Sequence, residues 1–533
     1  RGLGDVYKRQ TYNLKNKENK MKKIYKSLVF TMATIALTSC VNDWLDLTPS
    51  DSIPSNSAIT NYNDAKTALY GMYDGLQGNS TYTQYYASRM FYYGDVRGDD
   101  MQARTQGMRS SSCYEMKYTI DDAPNMWNVQ YNVLRRANRL IEAVENNKIT
   151  DAEKNQANVN NIYAQAKSVR ALVHFDLVKV YGMPYSFDNG ASMGVPIVTT
   201  PIDPLNASAI PGRNTVAEVY TQIVKDLTEA IDSKALNVSK SAGDNQGFID
   251  EWAAKALLTR VYIYMGKNQE ALDMAKNIIE NSPYSLWTKA QYANAWDKNN
   301  ANHINEMIFE LVNSGSDDWA DREGIAYLYH EDGYADAICT KSFVDMLAQD
   351  PSDVRLDVIL PVQLKTDDNG KPTDMYKTYG DNRIFINKFP MGSLGDMRLN
   401  NLPILRLSEV YLNAAEAAAK LNDKTSTAKY LNEIIKNRTD DTKQLVTEST
   451  ATLERVLLER RKELVGEGQR FFDAMRNNET VTRYTNEDEK GWHYSINKES
   501  QVFDRTYFRT ILPIPVSETN ANPTLKAQQN PGY

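Results

Sequence analysis

Residues 251–284, EWAAKALLTRVYIYMGKNQEALDMAKNIIENSPY, decide the fold class. Ala253, Ala256, Leu257, Val261 and Tyr264 recur at three- and four-residue steps, the period of one helix face. Gly266-Lys267-Asn268 then turns the chain. Ala271, Leu272, Ala275, Ile278 and Ile279 set out a second face before Pro283 ends it. Small Ala side chains at helical spacing let two antiparallel helices approach closely, and Gly permits the tight reversal between them. The stretch predicts a helix pair whose apolar stripes are core.

The same pattern returns elsewhere. At 404–437, Leu407, Val410, Tyr411, Ala414, Ala415 and Ala418 form one stripe, and Ala428, Leu431, Ile434 and Ile435 the next. Residues 126–146 place Trp127, Tyr131, Leu134, Leu140, Ile141 and Val144 near one face, and residues 161–181 do so with Ala166, Val169, Val173, Leu177 and Val180. A weaker pair joins 161–181 to 214–233. Each unit resembles a tetratricopeptide repeat. The expected fold is therefore dominated by α-helix, with tetratricopeptide-like pairs over about 126–181, 214–284 and 404–437. These pack with a loop-rich, mostly irregular ligand-binding region.

That irregular region falls in two parts. Residues 78–125 are rich in Tyr, Gly, Asp, Ser and Arg, and residues 284–400 mix Trp, Asn, Asp, Gly and Tyr with short apolar runs. Loops this long in a helical protein carry function or are disordered, and their aromatic content speaks against disorder. The chain holds 33 Tyr against 13 Phe, and Tyr suits half-wet surfaces where one face packs and the hydroxyl finds a partner.

At the other end, MKKIYKSLVFTMATIALTSC (residues 21–40) has three early lysines, a short apolar run and a terminal Cys40. The run is too short to span a bilayer and reads as an export signal. Residues 1–20 read as a non-native or artefactual extension, and 41–61, with Pro49, Pro54 and scattered Ser, Asp and Asn, as a tether to the domain at 62–533. Residues 1–40 carry nine Lys/Arg against two Asp/Glu, so the formal −7 of the chain becomes −14 beyond Cys40. So acidic a surface argues against nucleic acid as a partner.

Catalytic constellations are sparse. His330-Glu331-Asp332-Gly333-Tyr334 starts like a zinc-protease pattern, but Tyr334 stands where the second imidazole belongs. Gly466-Glu467-Gly468 lacks the third glycine of a dinucleotide loop. His174 lies in a helical stripe, Cys113 and Cys339 read as buried free thiols, and no cofactor is expected. Glu459, Glu463 and Glu467 sit at i,i+4 steps among Arg455, Arg460, Arg461 and Lys462, which reads as ion pairs along a helix. Asp95, Asp99 and Asp100 lie near Arg97 and Arg104 in a Tyr-rich loop and read as binding contacts ahead of an acid/base pair.

Five segments together resemble the SusD/RagB family of nutrient-uptake lipoproteins. They are ERRKELVGEGQRFFDAMR (459–476), LPIPVSETNANPTLKAQQNPGY (512–533), RLSEVYLNAAEA (406–417), AKSVRALVHFDLVKVYG (166–182) and WLDLTPSDSIP (44–54). The C-terminal signature spans 453–533. A signal ending at Cys40 is similar to a bacterial lipobox, which implies diacylglycerol on that thiol and a membrane held through the lipid anchor. The resemblance implies a non-enzymatic protein on the outer face of the outer membrane, beside a SusC-like, TonB-dependent barrel transporter. There it would capture an oligosaccharide and pass it inward. A peptide-binding member of the family and a surface glycoside hydrolase are the alternatives.

The family holds no ligand residue at a fixed motif position, so the candidate contacts come from loop composition. They are Tyr82, Tyr85, Tyr86, Asp95, Arg97 and Asp99 from the first loop region, and Trp319, Tyr327, Tyr329 and Tyr334 from the second. Trp127 and Trp252 lie in helical stripes and are expected in the core.

Overall fold

Asn61 starts the first helix, α1 (Tyr62–Gln77), by accepting the Asp64 N–H on its side chain at 3.0 Å, while Asp151 accepts the Tyr62 N–H at 2.7 Å. The computed structural model describes residues 58–78, 85–104, 109–201, 211–296, 303–313, 323–330, 333–359, 384–389, 396–484, 493 and 496–533. Those from Ile59 onward form one unit. The leader, Cys40 and nearly all of the tether lie outside the described residues. Among the described residues no helix is long and apolar enough to cross a membrane.

The helices that frame the structure follow in order. They are α2 (Arg89–Asp95), α3 (Trp127–Glu145), α4 (Gln156–Tyr181), α5 (Val216–Asp232) and α6 (Glu251–Met265). After them come α7 (Asn268–Asn281), α8 (Ile325–Tyr329), α9 (Leu407–Lys420), α10 (Lys424–Lys436), α11 (Leu453–Leu464) and α12 (Arg470–Arg476). The fold is helix-rich, as the periodicity predicts. Helix α6 begins on Asp250, which accepts the Ala253 N–H at 2.8 Å, and stops at Gly266, whose φ of 71° is the left-handed value that favours glycine. Helix α5 begins with a reciprocal capping box between Thr215 and Glu218.

Each long helix packs on its neighbour in the chain: α1 on α3, α3 on α4, α4 on α5, α5 on α6, and α6 on α7. The series continues from α7 to α9 across more than a hundred intervening residues, then to α10 and α11. Ala253, Ala256, Leu257, Ala271 and Ala275 are all buried in this stack, and so are Trp127 and Trp252. A truncation such as Leu257→Ala in so close a contact costs about 2–5 kcal/mol.

Among the described residues, short antiparallel strand pairs tie the irregular regions to each other and to the stack. Strand β1 (Met101–Ala103) pairs with β3 (Ala337–Cys339), Met101 opposite Cys339, so the two loop-rich regions form one body. Strand β2 (Met307–Leu311) pairs with β4 (Leu402–Arg406) through an irregular register, and β5 (Val481–Thr482) with β6 (Val502–Phe503).

The Arg- and Glu-rich signature differs from the sequence expectation. Its carboxylates do not line an exposed helix face; they are buried and reach across the fold. Glu463 bonds Arg406 at 2.7 Å, Arg438 at 2.9 Å and Arg355 at 3.3 Å. Glu467, beyond the end of α11, bonds Arg406 and Lys388, each at 2.7 Å. Glu306 meets Arg406 at 2.8 Å and Arg438 at 3.1 Å. Only Arg455–Glu459, at 2.6 Å, is the expected i,i+4 pair. Burial pushes the Glu463 carboxyl up, but Arg438 and Arg406 more than offset this and hold it well below the usual range. The motif is a clamp on β4, α10 and α11. An i,i+4 spacing specifies partners on one helix and cannot name those brought from elsewhere.

Candidate functional site

The sequence-derived contacts divide by burial. Tyr85 and Tyr86 are interior, and both hydroxyls donate to Asp176 Oδ2 at 2.5 Å; Asp176 also pairs with Lys179 at 2.9 Å. Asp95, at the end of α2, is buried and accepts from Tyr329 OH at 2.8 Å and from the Gly468 N–H at 3.0 Å. Burial raises its carboxyl to about 8. Arg97 is sandwiched between the rings of Tyr93 and Phe471, at 4.1 and 4.0 Å, and donates to the Arg509 carbonyl at 2.5 Å. Asp99 is held by Arg470 at 2.6 Å and Arg461 at 3.4 Å.

Tyr85, Tyr86, Asp95, Arg97 and Tyr329 are therefore core groups without a face for a ligand, which corrects that part of the expectation. Other tyrosines are interior in the same way. Tyr73 bonds Gln165 at 2.7 Å, Tyr118 bonds the Arg509 carbonyl at 2.7 Å, and Tyr181 accepts the Met126 N–H at 3.1 Å. Buried hydroxyls with partners specify the interior. Composition counts such rings without saying which way they point.

His174 is also interior. The Val198 N–H donates to its Nε2 at 3.2 Å, so the proton sits on Nδ1, which faces the Arg170 carbonyl at 3.0 Å. Burial lowers this imidazole to about 4. Cys113 and Cys339 are buried free thiols. Among the described residues no three His, Cys, Asp or Glu side chains converge as a metal site.

Tyr327 and Tyr334 remain half-exposed, and they stand together. Their ring centroids are 5.7 Å apart at 43°. The Tyr334 N–H donates to the Tyr327 carbonyl at 2.6 Å, which fixes one ring against the other. This approach needs Gly333, because a Cβ there would lie 2.4 Å from the Tyr327 oxygen. Arg109 stacks on Tyr334 with its guanidinium carbon 3.8 Å from the ring centroid, and it grips Glu323 through two hydrogen bonds, one of them 2.6 Å. Asp336 holds the backbone below, accepting the Ser110 N–H at 2.8 Å and the Arg109 N–H at 3.1 Å. The turn at Met397–Leu399, against which α8 packs, adds the Arg398–Asp396 pair, Nε to Oδ1 at 2.9 Å.

Tyr82 and Trp319 lie outside the described residues, but the residues bracketing their segments are bonded to each other. Gln77 Nε2 donates to Asn313 Oδ1 at 2.5 Å on one side, and the Ile325 N–H donates to the Ala87 carbonyl at 2.7 Å on the other. Arg109, Glu323, Asp396 and Arg398 were not selected by sequence reasoning. Their only signal was membership of the two irregular regions.

Comparison with known proteins agrees with this architecture. The SusD family matches residues 232–533, and a family described as starch-binding, associating with the outer membrane, matches residues 43–263. A SusD superfamily protein of Bacteroides thetaiotaomicron is 38% identical with a TM-score of 0.76, over 88% of this chain and 100% of that one. One from Bacteroides vulgatus is 32% identical with a TM-score of 0.75, over 89% of this chain and 100% of that one. A SusD-like protein of Formosa agariphila is 23% identical over 96% of this chain and its own full length. With matched motifs running from Asp43 to the final Tyr533 and the stack of helix pairs in common, the chain belongs to the SusD family.

Proposed function

We propose that the protein binds an oligosaccharide through the Tyr327–Tyr334 face and passes it, uncut, to a TonB-dependent outer-membrane transporter. The observation that carries this reading is the tilted pair of half-exposed rings bordered by two ion pairs, Arg109–Glu323 and Arg398–Asp396. Ring faces accept the C–H faces of sugars, and the flanking charged groups offer donors and acceptors to hydroxyls. The nearby carboxylates Asp95, Asp99 and Asp100 are committed to Tyr329, Gly468, Arg461 and Arg470, which supports capture over hydrolysis.

The family description supports a place at the outer membrane. Acyl chains on Cys40 hold the domain there, and the helix pairs dock on the barrel. One neighbour of the same fold, 23% identical with a TM-score of 0.63, is a laminarin-binding SusD-like protein, a likeness of fold.

Calorimetry against starch, laminarin and mixed peptides tests the reading. A polysaccharide binds, and Tyr327→Ala with Tyr334→Ala weakens it about tenfold or more, equivalent to at least 1.4 kcal/mol. Unchanged affinity in the double variant overturns the site, peptide binding alone overturns the ligand class, and new reducing ends overturn passive capture. Loss of radiolabelled fatty acid in Cys40→Ala, and co-purification with a barrel, test the anchor and the transporter.

A further inference from the structure

Helix α8 carries Tyr327 and is five residues long, too short to keep its place without tertiary contacts. Two hydrogen bonds fasten its ends, and both partners flank α2. At the first turn the Ile325 N–H donates to the Ala87 carbonyl at 2.7 Å, just before α2. At the last residue the Tyr329 hydroxyl donates to Asp95 Oδ2 at 2.8 Å, where α2 ends. The Tyr329 ring is buried and set edge-on against Phe389, with centroids 5.8 Å apart at 70°. Tyr327 lies between the two fastenings, and its carbonyl receives the Tyr334 N–H.

Asp95 is itself fixed. Its Oδ1 accepts the Gly468 N–H at 3.0 Å, where α2 meets the turn after α11. The titratable groups that face it are Tyr329 from α8, Glu467 from the Gly468 turn, Lys388, and Cys339 from β3. Lys388, the cation of this set, is committed elsewhere: its Nζ donates to Glu467 at 2.7 Å and to the Glu463 carbonyl at 2.6 Å. Among the described residues no cation bonds the Asp95 carboxyl, which is held by two neutral donors.

We propose that Asp95 is the positioning residue of the ring pair: through Tyr329 it seats α8 on α2 and so sets Tyr327 against Tyr334 for capture. This rests on the proposed capture of glycan. The proton on Asp95 is the lever. Burial raises the seated carboxyl to about 8, whereas a displaced α8 would admit water and restore the ordinary value of about 3.8. Between those values the seated form holds a proton that the displaced form has lost. Each unit of rising pH therefore favours displacement about tenfold, and the effect levels above pH 8.

Hydrogen exchange and calorimetry on the full chain test this. In wild-type protein, protection of the amides of residues 325–329, corrected for intrinsic exchange, falls about tenfold per unit between pH 6 and 8. The amides of α6 in the helix stack do not follow. Asp95→Asn keeps a partner for both donors, and its protection at 325–329 no longer depends on pH. His330, also titratable and buried at the end of α8, is present in both proteins, so that flattening assigns the response to Asp95. Tyr329→Phe keeps the ring and loses the hydroxyl; it lowers protection at 325–329 and weakens binding of starch or laminarin about fivefold, the worth of one buried hydrogen bond. Wild-type protection at 325–329 that is independent of pH, or unweakened binding in Tyr329→Phe, overturns the positioning role. No binding of starch or laminarin by wild-type protein, with the exchange pattern as stated, overturns the capture reading and leaves the seating of α8 by Asp95 standing.

Discussion

Gly94 and Gly468 meet backbone to backbone: a Cβ placed on Gly94 would lie 1.9 Å from the Gly468 carbonyl oxygen. This contact brings α2 onto the turn between α11 and α12 and lets the Gly468 N–H reach Asp95. The neighbour is rigid backbone, so nothing gives way cheaply. Gly94→Ala is expected to destabilise the protein by about 3 kcal/mol or more, read as the shift of the midpoint in urea unfolding. A midpoint within error of wild type contradicts the close approach.

Glu463 is the hub of the buried charge clamp. Glu463→Gln removes one charge from the cluster but leaves Arg438 with Glu306 and Arg406 with Glu306 and Glu467, so it is expected to destabilise the protein by less than the roughly 3–5 kcal/mol of an isolated buried pair, read as the shift of the urea midpoint. The same logic sets the response to acid. Arg355 and Arg455 beside Glu459 overcome its burial and hold it at about 2. A carboxylate whose folded value is depressed contributes stability that is complete above its unfolded value and is lost as pH falls through the folded one. Unfolding by urea is therefore expected to become easier from about pH 4.5 down to about pH 2, less steeply in Glu459→Gln.

Asp95 behaves in the opposite sense. Its folded value of about 8 lies above the ordinary carboxylate value, so it costs nothing in strong acid. The penalty for ionising it grows as pH rises towards 8 and then levels. Asp95→Asn, whose oxygen accepts from the Gly468 N–H while its amide donates to the Tyr329 hydroxyl, is expected to be more stable than wild type at pH 8 and close to it near pH 3. Melting curves at the two pH values decide this; equal curves at both reject the buried acid.

Gly333→Ala tests the ring pair. The added methyl lies 2.4 Å from the Tyr327 carbonyl oxygen and drives the two rings apart. Glycan affinity is expected to fall about tenfold in calorimetry, and because the clash is with backbone, as at Gly94, a lowered urea midpoint accompanies it. Retained affinity with a displaced turn shows that the ring pair is not the platform.

The long helices were legible because their signal is local. Apolar residues every three or four positions in 126–181, 214–284 and 404–437 specify a buried face wherever the partner comes from, and Gly266 marks where a helix must end. Buried Trp127, Trp252 and His174 followed from the same stripes. The site was not legible in this way. Tyr85, Tyr86 and Tyr329 share loop composition with Tyr327 and Tyr334, yet Asp176 and Asp95 draw the first three hydroxyls inward. Arg109 reaches Tyr334 only because β1 pairs with β3 and Asp336 anchors the adjoining backbone.

By itself, the order of residues determined the helix pairs, the acidic balance and the family motifs, since periodicity, charge and short motifs are properties of neighbouring positions. Tertiary structure alone decided which tyrosines face solvent and which arginines meet Glu463. Those outcomes depend on groups hundreds of positions apart competing for the same buried space, and linear spacing carries no record of that competition.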